Sequence, residues 1–123
     1  MEQLILHLIG DFVTQSDWMA RNKTTHSWVA LCHAIVYSAP FFLIGSVAAV
    51  GVIFATHFVI DRFRLVRYLI WAKNCLAPSH HPWAESAETG FHKSTPEWLA
   101  VWLMIVVDAT MHLACNYSAL RWL

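Results

Sequence analysis

Thirty-seven consecutive residues, from Thr24 to Ile60, contain no Lys, Arg, Asp or Glu. As one helix they would reach about 55 Å at 1.5 Å per residue, well beyond the roughly 30 Å hydrocarbon core of a bilayer. The run must therefore fold back on itself. Gly45-Ser46 and Gly51 are the available breakers, and Pro40 can kink the first arm. This predicts a helical hairpin with arms at about 27–44 and 47–71.

The flanking segments complete the pattern. Residues 3–18 read as a short N-terminal helix, too short to cross a bilayer unaided, since a span needs about 20 residues. Asp17, Arg21, Asn22 and Lys23 then mark a polar turn. Beyond Asp61, the basic residues Arg62, Arg64, Arg67 and Lys73 alternate with aromatic and aliphatic ones, as in a helix lying at a membrane interface. Residues 73–95 form a polar loop broken by Pro78, Pro82 and Gly90. Thr95-Pro96-Glu97 opens a last helix, 96–118, in which Trp98 to Leu120 carries one charge, Asp108. Only 13% of the chain is charged, against about 25% in soluble domains, and mean hydropathy is +0.48. The expected fold is an all-α integral membrane bundle of about four helices: a short N-terminal helix, a hairpin and a C-terminal span, in one domain over residues 1–123.

Trp28, Trp71, Trp98 and Trp122 fall at predicted span ends. Arg21, Lys23, Arg62, Arg64, Arg67, Lys73 and Lys93 fall on one side of this topology, which the positive-inside rule makes cytoplasmic. Zero net charge and a pI near 7.1 argue against nucleic acid as a partner. Cys32, Cys75 and Cys115 are odd in number and widely spaced, so they read as small buried hydrophobes rather than a disulfide framework. Met1-Glu2-Gln3 lacks the basic region of a cleavable signal.

The chemistry lies in stripes. His7 and Asp11 are four residues apart, as are His57 and Asp61 and, in reverse order, Asp108 and His112. That offset puts each pair on one helix face. Gln15 and Asn116 extend two of the stripes, and His33 lies on the remaining helix. A single pair can be a local hydrogen bond that hides both groups from lipid. Carboxylates at bilayer depth nevertheless cost about 2.5–3.5 kcal/mol each, which makes all of them candidates for function. His7, Asp11, His33, His57, Asp61, Asp108 and His112 are thus candidate ligands of one or two divalent ions, zinc first, with iron or manganese as alternatives. Asp11, Asp61 and Asp108 are the candidate general bases. Gln15 and Asn116 could orient ligands or substrate. Arg62 and Arg64 could hold a phosphate, or simply anchor the chain at the interface.

His7-Leu8-Ile9-Gly10-Asp11, Asn22-Lys23, His33 with Tyr37, Thr56-His57-Phe58-Val59-Ile60-Asp61-Arg62-Phe63-Arg64 and Asp108-Ala109-Thr110-Met111-His112 together resemble a group of small bacterial and phage membrane proteins that carry a domain of unknown function. The resemblance spans nearly the whole chain and implies a bacterial inner membrane location. A looser similarity, to inner-membrane metal-dependent hydrolases, implies hydrolysis. The expected function is a membrane-embedded, metal-dependent hydrolase of a lipid or amphipathic ester or phosphoester. The alternatives are a non-enzymatic membrane protein acting on the host envelope, as in superinfection exclusion, and a proton or metal-ion conduit. Membrane lipid is the expected partner, with homo-oligomerisation allowed.

Overall fold

The computed structural model describes residues 1–78 and 80–123. Among them it has six α-helices and no strands: α1 (Glu2–Leu8), α2 (Asp17–Asn22), α3 (Ser27–Ser38), α4 (Val47–Phe63), α5 (Leu65–Asn74) and α6 (Glu97–Trp122). The chain divides into two compact units. One comprises Met1–Phe63 and His112–Leu123, the other Arg64–Met111.

In the first unit, α1 runs on into a wide turn over Ile9–Val13, closed by a bond from Thr14 N to Ile9 O, five residues back. Such π-type turns concentrate at functional sites, and this one carries Asp11. The expected helix over 3–18 therefore ends at Val13. Ser16 caps a separate α2 by accepting from Met19 N at 3.2 Å. The hairpin forms where the breakers predicted it. α3 stops at Ser38, Pro40 sits at the start of a tight 3-10 segment (Ala39–Leu43), and the Ser46 hydroxyl accepts from Ala49 N at the start of α4. Tyr37, Phe41, Ala49, Val50, Ile53 and Ala119 form the apolar core, with Leu6, Ile44 and Leu120 packed on it.

The single helix expected over 47–71 is two helices. Arg64 takes a left-handed conformation (φ 51°, ψ 49°) that ends α4 and starts α5. That conformation costs an ordinary residue roughly 1–2 kcal/mol. The Arg64 guanidinium donates to Glu88 O at 2.8 Å within the second unit, where Arg67 also donates to Ala87 O at 3.0 Å.

α6 has 26 residues and is the one described helix long and apolar enough to cross a membrane. At 1.5 Å per residue it measures about 39 Å. Only 11% of its apolar window is buried, unlike the core helix of a soluble protein. Ser27–Leu43 is a shorter apolar helical stretch. Phe12, Trp28, Ile35, Phe42, Val47 and Trp102 are exposed, while five of the buried residues are His7, His33, His57, Asp61 and His112.

Candidate metal centre

Four helices of the first unit each send two polar side chains, four residues apart, to one point. These are His7 and Asp11 from α1 and its wide turn, His33 and Tyr37 from α3, His57 and Asp61 from α4, and His112 and Asn116 from the end of α6. All eight are buried. Gly10 permits the convergence. A Cβ there would lie 2.5 Å from the Tyr37 ring, so only glycine lets α1 come this close to α3.

At the centre, Asp11, His33, His57 and Asp61 each present one donor atom, all within 4.8 Å of one another. His33 Nε2 is 3.3 Å from Asp11 Oδ1 and 3.3 Å from Asp61 Oδ2. His57 Nε2 is 3.5 Å and 3.1 Å from the same two oxygens. The two Nε2 atoms are 3.0 Å apart. A tetrahedral ion with bonds of about 2.0–2.1 Å would hold its ligand atoms roughly 3.3–3.4 Å apart, so the spacing fits. The chemistry fits too. Two carboxylate oxygens within 4.8 Å of each other repel by at least about 3.5 kcal/mol at an effective dielectric of 20, and a cation between them offsets that cost. The Asp11 Oδ1 atom and the Nδ1 atoms of His33 and His57 have no hydrogen-bond partner among the described residues. The two imidazoles thus spend their one polar contact on the centre. This cluster can hold a metal ion.

An outer ring orients the donors. His7 Nδ1 lies 3.3 Å from the other oxygen of Asp11, and His112 Nε2 lies 3.4 Å from the other oxygen of Asp61. The Tyr37 hydroxyl lies 2.9 Å from His7 Nδ1 and accepts from Asn116 Nδ2 at 2.7 Å, while its ring stacks on His57 with centroids 3.6 Å apart. Lys23 Nζ donates to Asp61 Oδ2 at 2.7 Å with its side chain 16% exposed, placing an ammonium at the edge of the cluster. Sequence reasoning assigned no role to Tyr37 or Lys23. Tyr37 could have been found, because it continues the His33 stripe at four residues. Lys23 had no such signal.

The other expected site residues are Gln15, Asp108, Arg62 and Arg64. Gln15 falls beyond the end of the wide turn, so it does not extend the His7–Asp11 stripe, and its buried Oε1 has no hydrogen-bond partner among the described residues. Asp108 is half-buried on α6, one turn before His112, and belongs to the second unit. Arg62 donates from Nε to Ser27 Oγ at 3.0 Å and from Nη1 to Thr24 O at 2.7 Å, which ties α4 to the start of α3. Arg64 is committed to Glu88 O in the second unit.

A family model described as Protein of unknown function (DUF3307) matches residues 1–117. No curated protein and no solved structure matches the chain.

Proposed function

We propose, from the premise that this chain belongs to the DUF3307 family of proteins of unknown function, that it is a membrane-embedded, metal-dependent hydrolase of a lipid or amphipathic ester or phosphoester. The observation that carries the reading is the meeting of two imidazole nitrogens and two carboxylate oxygens at tetrahedral spacing inside a unit that also exposes Phe12, Trp28, Ile35 and Phe42. Burying imidazole and carboxylate while exposing Phe, Trp and Ile is the arrangement a lipid solvent selects. The proposed location is the bacterial cytoplasmic membrane, with α6 as a span and the basic segments on the cytoplasmic side.

His33, His57 and Asp11 would hold the ion, zinc being the best match for two imidazoles and a carboxylate, with iron or manganese as alternatives. When bound, such an ion acidifies a water toward neutrality and polarises a carbonyl or phosphoryl oxygen. Asp61 has a distinct part, because its Oδ2 is shared with Lys23. Drawn toward that ammonium, it would serve as the general base toward a water at the site. The oxygen of water bonds to the acyl carbon or phosphorus and the bond to the leaving oxygen breaks. The proton taken by Asp61 passes to that leaving oxygen. His112 keeps the Asp61 carboxylate turned, and Tyr37, fastened by Asn116, keeps His57 in plane.

A second reading has one observation in its favour. If Asp61 stays on the ion, four protein donors close the coordination as structural sites do. The protein would then be a non-enzymatic membrane component built around a structural metal. Both are decided by one experiment on detergent-purified protein: metal content by mass spectrometry beside hydrolysis of fluorogenic lipid esters and phosphoesters. The hydrolase reading expects turnover that chelation abolishes, that Zn²⁺ restores, and that His57→Ala lacks. Stoichiometric metal with no turnover on either ester class would support the structural reading, and no metal would end both.

A further inference from the structure

A second group of ligating side chains lies wholly within the second unit. His81, Glu85 and His92 each offer one donor atom, and these atoms lie within 4.8 Å of one another. His92 Nε2 is 3.0 Å from Glu85 Oε2, and the His81 and His92 rings stack with centroids 3.8 Å apart. His92 Nδ1 meets the Ser94 hydroxyl at 2.6 Å. Ser94 N also donates to His92 Nδ1 at 3.2 Å, which leaves Nε2 as the atom facing Glu85. Lys93 Nζ takes the other carboxylate oxygen, Oε1, at 3.2 Å. A cavity of about 220 Å³ lined in part by Trp71, Asn74, His81, His92 and Ser94 adjoins the group and has room for a water.

The loop carrying these residues contains only one short 3-10 turn, Trp83–Glu85, yet its backbone is fastened at several points. Trp71 Nε1 donates to His81 O at 3.1 Å, Asn74 Nδ2 to Gly90 O at 3.3 Å, Gly90 N to Ser86 O at 2.7 Å, and Lys93 N to Glu85 O at 2.9 Å. Gly90 has φ +85°, and a Cβ there would stand 2.4 Å from Arg67 O, so the loop lies against α5 only because the residue is glycine. The three side chains are therefore presented by a backbone held in place before any ligand arrives, which lowers the ordering cost of binding.

We infer that His81, Glu85 and His92 form a second transition-metal site, separate from the buried cluster and sharing none of its residues. Two imidazoles and one carboxylate select Zn²⁺ over Mg²⁺ or Ca²⁺, and three protein donors leave a coordination position open toward the cavity. A bound ion would join His81 to His92 across eleven residues and fasten a loop that otherwise relies on hydrogen bonds.

The test is Zn²⁺ titration by calorimetry of full-length, chelator-stripped protein in detergent, with limited proteolysis of the loop alongside. His81→Ala and His92→Ala should each remove one Zn²⁺ equivalent per chain and the Zn²⁺-dependent protection of the loop. His57→Ala should retain both of these. Failure of the buried site would leave wild type with one equivalent, which His92→Ala abolishes. The same number of equivalents and the same protection in wild type, His81→Ala and His92→Ala would overturn the assignment.

Discussion

Lys23→Met should tighten metal binding at the buried cluster. Lys23 Nζ is 2.7 Å from Asp61 Oδ2. An ion that Asp61 Oδ2 ligates, as in the structural reading, would lie about 2.0–2.2 Å from that oxygen. The ammonium and the ion would then be at most about 4.9 Å apart. The Coulomb repulsion between one positive charge and two at that distance is about 1.7 kcal/mol even at the dielectric constant of water, and about 7 kcal/mol at an effective value of 20. The Lys23 side chain is 16% exposed and that of Asp61 4%, so the true environment lies between those limits. The smaller figure already corresponds to a factor of about 15 in affinity. Removal of Lys23 also frees Asp61 Oδ2 as a donor, which acts in the same direction. Competition of a fluorescent Zn²⁺ chelator with the detergent-purified protein gives the dissociation constant. The measurement is best made in the His92→Ala background, so that the loop contributes no ion. Lys23→Arg, which keeps the charge, is the control and should change affinity by less than Lys23→Met. Under the hydrolase reading, tighter binding in Lys23→Met comes with slower turnover, because Asp61 is no longer held back as a base. Unchanged or weaker Zn²⁺ affinity in Lys23→Met would refute the placement of an ion beside Asp61.

Three further outcomes follow from the same geometry. His57→Ala should lower Zn²⁺ affinity at the buried cluster by at least 100-fold in the same competition assay, since it removes a direct donor and the ring that Tyr37 stacks on. Tyr37→Phe keeps the ring but deletes the hydroxyl between His7 and Asn116, leaving the buried Asn116 Nδ2 without its acceptor while His7 Nδ1 keeps Asp11 Oδ2 at 3.3 Å. The variant should destabilise the protein by about 1–3 kcal/mol in reversible denaturant unfolding, while metal stoichiometry holds. Gly10→Ala drives a methyl group into the Tyr37 ring, so α1 must retreat and take Asp11 with it. Overpacking of this kind costs about 1–3 kcal/mol, and here it should also weaken Zn²⁺ binding, which the Gly51→Ala control, facing open space, should leave unchanged.

What could be read in the sequence was what repeats along one helix. The four-residue offsets of His7–Asp11 and His57–Asp61 identify the inward faces, and the uncharged run with Gly45-Ser46 identifies the hairpin. The centre itself depends on contacts between residues far apart in the chain. Tyr37 meets Asn116 across 79 residues, Lys23 meets Asp61 across 38, and His7 meets Tyr37 across 30. No single-chain periodicity encodes such meetings. Arg64 illustrates the other kind of loss. Nothing in its residue type signals a helix end, and its left-handed backbone is held by a tertiary contact to the Glu88 carbonyl. The wide turn at Ile9–Val13 is similar. It shifts the register within α1, so the step from Asp11 to Gln15, which looks like a helical continuation in the sequence, leaves the helix.

The claim on which the rest depends is that one metal ion sits among Asp11, His33, His57 and Asp61, and X-ray absorption spectroscopy on purified His92→Ala protein tests it most directly. With Zn²⁺ bound, the spectrum should show a first shell of nitrogen and oxygen only, at about 2.0–2.1 Å, with the multiple-scattering signature of two imidazoles, and this shell should be lost in His57→Ala. A shell containing sulfur, a shell unchanged in His57→Ala, or no stoichiometric metal in the loop-deficient protein would contradict the account.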